Sequence, residues 1–298
     1  MLKSLNTLME LAKQKGVRRI VVAAATDRYV LDAIMMAKQE KIIHPILFGN
    51  KQAILKICAA IGFDISDVEI IDIADPDQAP IEAVSLIRNG QADILMKGMI
   101  DTKTMLKAVL DKEKGLRKGA TLSHVALFES PYYHKLLGVT DAAMPIVADF
   151  AEKVEIILNA VDMFHRLGIK EPKVAVIGPI ETVNPKMEAT VHAALLAQMN
   201  KRKQIKGCII DGPLALDNAV VAESARQKGI VSDVAGDADL LVTHDINSGN
   251  ILYKSLNFLG GATSAGVILG AKVPIVLTSR ADSEKSKLMS IALAAAIS

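Results

Sequence analysis

Short runs of β-branched and aliphatic residues recur along this chain, separated by longer amphipathic stretches, and that alternation restricts the fold more than any other feature. Strands that alternate with helical patterns build βαβ units and a mostly parallel sheet. Candidate strands lie at 19–24, 45–48, 68–71, 93–96, 122–128, 173–177, 207–210, 240–243 and 274–278. Helical spacing fills the gaps, as in Leu5, Leu8, Met9 and Leu11, or Ile54, Leu55, Cys58 and Ile61. A long helix is predicted over 150–166. The fold class is α/β.

With 298 residues, the chain is long enough for two domains of roughly 150 residues, each with its own core. The pattern breaks near Glu129-Ser130-Pro131-Tyr132-Tyr133, a candidate boundary. Small molecules bind at the strand ends of α/β sheets and at domain interfaces, so the expected site is a cleft between the two halves.

Composition removes several function classes. Lys and Arg number 35 against 33 Asp and Glu, a net charge of +2, so no field exists to hold a polyanion. Aromatics at 3% supply no stacking platform for single strands. Nucleic acid is therefore not an expected partner. Mean hydropathy is +0.31, yet no apolar run approaches the roughly 20 residues of a membrane span. The first residues lack the apolar core of a signal peptide, which points to a cytoplasmic protein. Cys58 and Cys208 alone give no disulfide framework, and reduced, buried thiols are expected. The six His residues never form an H-x-x-x-H pair, and no carboxylate cluster has ligand spacing, so no metal site is expected. The glycines of Gly261-Ala262-Thr263-Ser264-Ala265-Gly266 have P-loop spacing, but Val267 and Ile268 stand where Lys and Ser or Thr are needed.

Four polar strand-to-helix turns carry the chemistry. Pro274 to Thr278 reads as an apolar strand ending at Ser279 and Arg280, with Asp282 or Ser283 as the N-cap of a helix running to the C-terminus. A helix N-terminus favours an anion and a guanidinium grips phosphate with two nitrogens, although Arg280 in a solvated loop and Ser279 in a turn is an equally simple reading. His244 to Lys254, with Asn247, Ser248, Gly249 and Asn250, lets backbone approach a ligand closely or merely caps a helix. Asp211-Gly212-Pro213 is read as a turn after a buried strand, with Asp217 as a cap. Lys97 ends a fourth strand, and Thr102 is placed to cap a helix over 103–110.

Taken in order, Lys97-Gly98-Met99-Ile100-Asp101-Thr102, Ser123-His124-Val125, Asn184-Pro185-Lys186-Met187, Asp211 to Asp217, Asn247-Ser248-Gly249-Asn250 and Ser279-Arg280 resemble the phosphate acetyltransferase and phosphate butyryltransferase family, closer to the butyryltransferase branch. The likeness runs over nearly the whole chain. It implies a two-domain fold like that of isocitrate and isopropylmalate dehydrogenases, with residues 1–133 and 273–298 in the first domain and 134–272 in the second.

The activity implied by the resemblance is reversible exchange of acyl-CoA and phosphate for acyl phosphate and CoA, by direct transfer in a ternary complex. Coenzyme A ester and phosphate are then substrates, no cofactor is permanently bound, and a homodimer or larger assembly is expected. By the same resemblance Arg280 holds the phosphoryl group, Ser279 hydrogen-bonds near the reacting carbonyl or sulfur, and Lys97, Thr102, Ser123, Asn247, Gly249 and Asn250 are further contacts. One departure matters. Ser286 stands where the acetyltransferase branch carries an Asp proposed as base, and Asp282 is the nearest carboxylate for that role. Two other readings remain: a non-catalytic subunit that binds CoA esters or acyl phosphates, and a metal-dependent hydroxy-acid dehydrogenase of the same fold.

Overall fold

A computed structural model describes residues 2–119, 121–144, 148–279 and 281–298. The chain divides into two compact units, one made of Leu5–Ala120 and Ala265–Ser298, the other of Met1–Ser4 and Thr121–Ser264.

The first unit opens with helix α1 (Leu5–Gln14) and continues through strand β1 (Arg18–Ala23), α2 (Arg28–Gln39), β2 (Ile43–Gly49), α3 (Lys51–Ile61), β3 (Glu69–Asp72), α4 (Ala79–Arg88), β4 (Ile94–Lys97) and α5 (Thr102–Val109). Its strands run parallel in the order β3-β2-β1-β4, with Val21 opposite Ile46 on one side and Leu95 on the other. Such strands are covered on both faces, which is why β1 reads as a continuous apolar run with Ile20, Val21, Val22 and Ala23 wholly buried. Helix starts follow local capping chemistry. Asp27 accepts the Tyr29 and Val30 amides, and Asn50 accepts that of Ala53. Helix α3 ends on Gly62 at φ +70°, a left-handed stop that glycine takes without a side-chain clash.

The second unit holds β5 (Ser123–Glu129), β6 (Leu137–Thr140), α6 (Phe150–Arg166), β7 (Lys173–Ile177), α7 (Glu188–Lys201), β8 (Ile209–Leu214), α8 (Leu216–Val220), α9 (Ala222–Gln227), β9 (Leu240–Val242) and α10 (Ile246–Phe258). Its strand order is β5-β6-β9-β7-β8, antiparallel between β5 and β6 and parallel from β6 onward. Helix α6 coincides with its predicted span and begins on a capping box between Asp149 and Glu152.

The chain then returns to the first unit through β10 (Thr263–Leu269), β11 (Ile275–Val276) and α11 (Glu284–Ile297). Strand β11 lies parallel to β4, and β10 antiparallel to β11. Every residue of α11 from Ser286 to Ile297 is buried, and the helix packs against α1 and α2. Its apolar side chains are therefore core within one chain, and each large one, such as Ile291 or Leu293, contributes about 1.5–3 kcal/mol.

Several local expectations shift. The unit boundaries fall at 120/121 and 264/265, where the sequence had placed them at 133/134 and 272/273. Strand β5 pairs with β6, Ala126 opposite Val139, and so carries residues 121–133 into the second unit. Strand β10 pairs with β11, Ile268 opposite Ile275, and so carries residues 265–272 into the first. Gly212 and Pro213 are not a turn but lie inside β8, the edge strand, where a residue without an N–H is tolerated. The segment with P-loop glycine spacing contributes to β10, and the Gly266 amide donates to Ser290 Oγ at 2.9 Å.

Candidate active site

Strands β1, β4 and β11 are parallel neighbours, so their C-terminal ends open on one edge of the first unit's sheet. Beyond β1 the chain turns at Ala24, whose φ of +59° is left-handed, before Asp27 caps α2. Beyond β4, Gly98 lies so close to this turn that a Cβ there would stand 2.0 Å from the Ala24 carbonyl oxygen. Amides of Gly98 and Met99 donate to the Ala23 and Ala24 carbonyls at 2.8 and 2.7 Å. Only a residue without a side chain permits that approach.

A small open pocket lies here, bordered by Asp27, Tyr29, Lys97, Gly98, Ser279 and Lys287 among others. Two expected residues, Lys97 and Ser279, thus meet. Lys97 Nζ donates to the Gly98 and Ile100 carbonyls at 3.1 and 2.9 Å, which fixes its charge at the strand end. Ser279 is exposed at the pocket; its amide donates to Asp282 Oδ2 at 2.7 Å, and the Asp282 amide donates back to the Ser279 carbonyl at 3.2 Å. Asp282 therefore closes the turn, and the N-cap of α11 is Ser283, whose Oγ accepts the Ser286 amide at 3.1 Å. Ser286 is buried, with its hydroxyl 3.1 Å from that of Ser283. Arg280 lies outside the described residues.

Lys287 was not anticipated. Its side chain is buried, its ammonium donates to the Asp282 carbonyl, and it stands 5.7 Å from the centre of the Tyr29 ring. In sequence it is one Lys among several on a helix; only its position one turn beyond the Ser283 cap, at the start of a buried helix, marked it. Two ammonium groups thus stand beside the N-termini of α2 and α11, whose first-turn amides are capped by Asp27 and Ser283.

Most of the remaining expected contacts also have structural uses. Asp101, not Thr102, is the N-cap of α5, and Thr102 is its first residue, with the helix ending at Val109. Ser123 is fully buried, and its Oγ accepts from Asn159 Nδ2 at 3.1 Å, joining β5 to α6. In the second unit, Asp245 caps α10 in a capping box with Ser248. Gly249 lets that first turn press on another piece of backbone, since a Cβ there would meet the Asp141 carbonyl oxygen at 2.0 Å. Asn250 Nδ2 donates to the Ala142 carbonyl at 3.0 Å, while Asn247 is exposed. Asp141 organises this turn by accepting amides of His124, Ala143 and Met144.

The sequence reading also missed a cluster in the second unit, where Lys153 of α6 meets His192 of α7 and His244 at the end of β9. Burial lowers the Lys153 pKa, against the opposing charges of Glu188 and Asp245. Burial, and then the Lys153 charge, lowers both imidazoles. Glu188, His192 and His244 are the group among the described residues with donors close enough for a metal ion. The i,i+4 spacing of Glu188 and His192 was the available signal, but its third member is over fifty residues away.

A family model described as phosphate acetyl/butaryl transferase matches residues 4–80 and 77–295. The chain belongs to that family. A phosphate butyryltransferase of Clostridium beijerinckii is 47% identical over 100% of this chain and 98% of its own length. A phosphate acetyltransferase of Thermotoga maritima is also 47% identical, over 98% of each chain. The crystal structure of a branched-chain phosphotransacylase from Enterococcus faecalis superposes with a TM-score of 0.82 at 35% identity, covering 94% of this chain and 98% of that one. A putative 4-hydroxythreonine-4-phosphate dehydrogenase from Salmonella typhimurium, 13% identical with a TM-score of 0.58 over 94% and 99% of the two chains, shares the fold alone. That likeness bears out the dehydrogenase-like α/β architecture.

Proposed function

We propose that this member of the phosphate acetyl/butaryl transferase family catalyses reversible transfer of a short acyl group, acyl-CoA plus phosphate giving acyl phosphate plus CoA, with four-carbon and branched chains preferred. The observation that carries the reading is the pocket at the strand ends of the first unit, where Lys97, Lys287 and Ser279 meet beside two helix N-termini. The two positive charges favour an anion, which both the phosphate and the acyl phosphate of this reaction supply. Relatives named for butyryl and for acetyl transfer are both 47% identical to this chain, so the acyl preference rests on the branched-chain structural relative.

In the direction of acyl-CoA formation, the CoA sulfur attacks the acyl phosphate carbonyl, negative charge gathers on the carbonyl oxygen, and phosphate leaves. Arg280 grips the phosphoryl oxygens, and the Ser279 hydroxyl donates a hydrogen bond to the developing oxyanion. An ordinary thiol of pKa about 8.5 is already a few per cent thiolate at neutral pH, and the Lys97 and Lys287 charges enlarge that share. Asp282, held by the Ser279 amide, serves first to shape the turn and is the carboxylate available to take the thiol proton. Transfer is direct between the two substrates. Both cysteines are buried, and burial pushes the Cys208 thiol up to about 11 and raises Cys58 as well, so neither is poised as a covalent nucleophile. The substrates enter and leave without a resident cofactor, in a cytoplasmic homodimer or larger assembly. No helix among the described residues is long and apolar enough to cross a membrane.

The test is release of free thiol from a panel of acyl-CoA esters with and without phosphate. Phosphate-dependent release, fastest with butyryl or branched esters and indifferent to nicotinamide, is expected. No phosphate-dependent release from any ester would leave the binding-subunit reading. Arg280→Ala should lower kcat/KM for phosphate by roughly 100-fold, about 2.7 kcal/mol; near-normal phosphate use would remove Arg280 from the mechanism.

A further inference from the structure

The second unit assembles a donor set that acyl transfer does not use. Glu188 opens α7 and His192 follows four residues later, so both side chains rise from one face of the helix. His244 reaches them from the turn between β9 and α10. One donor atom of each of the three lies within 4.8 Å of the others. Glu188 Oε2 is 3.3 Å from His244 Nε2, on the other side of that ring from Nδ1, and joins an ion held at the two Nδ1 atoms by turning inward. The rings are held in place, His192 packing at 5.1 Å from Phe150 and 5.9 Å from His244 between ring centres.

Lys153 shows where a cation belongs. Its ammonium, on a side chain only 4% exposed, lies 3.0 Å from His192 Nδ1 and 2.9 Å from His244 Nδ1. An ammonium donates and accepts nothing, so both imidazole lone pairs are aimed at one positively charged centre. We propose that Glu188, His192 and His244 form a site for one divalent ion of the zinc, cobalt or nickel class, for which the Lys153 ammonium competes.

Two imidazoles and a carboxylate suit these borderline ions, and three protein donors leave a fourth position for water. Asp141 and Asp245 border the same small depression as Lys153 and His244, so the ammonium has carboxylates beside it when an ion takes over the imidazoles. The Glu188 side chain, paired with His244 Nε2, is 70% exposed, so the ion is reached from solvent as that carboxylate turns inward.

The test uses the full chain in phosphate-free buffer, titrated with Co²⁺ by visible absorption and with Zn²⁺ against a chromophoric chelator. One ion per chain is expected. His192→Ala or His244→Ala should weaken binding at least about 30-fold and Glu188→Ala about 10-fold, no less than loss of an outer-shell partner does. Lys153→Met, which removes the competitor, should tighten binding at least tenfold. Binding unchanged in His244→Ala, or no tighter in Lys153→Met, overturns the proposal, as does absence of stoichiometric binding in both wild type and Lys153→Met. Thermal melts accompany each variant; if the His variants unfold, the exposed Glu188→Ala decides, and binding equal to wild type in that variant also overturns it.

Discussion

Replacement of Gly98 by alanine tests whether the β1 and β4 strand ends hold the candidate active site in place. The added Cβ would lie 2.0 Å from the Ala24 oxygen, 2.6 Å from the Ala24 carbon and 2.8 Å from the Ala23 oxygen, all of them backbone atoms. Ordinary contact requires a retreat of roughly 1 Å or more. Ala24 is already left-handed at φ +59° and has little room to yield. Retreat stretches the amide bonds from Gly98 and Met99 to the Ala23 and Ala24 carbonyls, about 0.5–1.5 kcal/mol each. Overpacking adds about 1–3 kcal/mol, for a total near 2–6 kcal/mol. The Lys97 ammonium, anchored to the Gly98 and Ile100 carbonyls, moves with the loop, and a displacement of about 1 Å at a reacting centre costs about 100-fold in rate. Thermal unfolding and phosphate-dependent thiol release would be measured side by side, with Gly119→Ala as control because nothing lies within 4 Å of its added Cβ. A fall in Tm of at least about 4 °C is expected together with the lost rate. A Gly98→Ala protein with wild-type Tm and wild-type rate would refute the reasoning.

Other consequences follow from buried charge and buried sulfur. Lys135, only 4% exposed, bridges Asp237 and Asp239 at 3.0 and 2.6 Å, so Lys135→Met should cost about 3–5 kcal/mol in chemical denaturation, and a loss below about 1 kcal/mol would contradict this. Burial pulls the Asp237 carboxyl upward, but hydrogen bonds from Lys173, Lys135 and His134 outweigh it and hold the pKa well below the usual carboxylate range. Its stabilisation is therefore present above the unfolded value of about 3.9 and is lost only as pH falls through the folded one; denaturation midpoints should show no contribution from this group between about pH 5 and 7. Cys58 and Cys208, both buried with raised thiol pKa values, should resist an aromatic disulfide reagent at pH 8 in the native protein and react fully in denaturant; rapid native labelling would count against their burial.

Elements that are buried on both faces, or capped by their own residues, were readable from the chain. Strands β1, β4 and β7 announce themselves as apolar runs, and α6 carries its start signal in Asp149 and Glu152. Strand β6 did not, because Leu137-Gly138-Val139-Thr140 is short and contains a glycine whose reason is tertiary: a Cβ at Gly138 would crowd Leu240, Asp239 and Phe164. At the site, Lys97 and Ser279 were legible as polar residues closing apolar strands. Lys287 was not, since its one signal, a place one turn beyond the Ser283 cap, does not tell a buried lysine from an exposed one. Thr102 and Ser123 looked equally suitable as ligand contacts, and only their neighbours show one opening a helix and the other bonded to Asn159.

By itself the order of residues settled the α/β class, the parallel strands, and the family whose motifs run from Lys97 to Arg280, because periodicity, caps and short motifs are local and survive without coordinates. Which polar groups share a pocket was decided only by the packed molecule. Glu188, His192 and His244, like Lys97 and Lys287, come together across long stretches of chain, and such proximity depends on strand order and helix packing that no window of sequence contains.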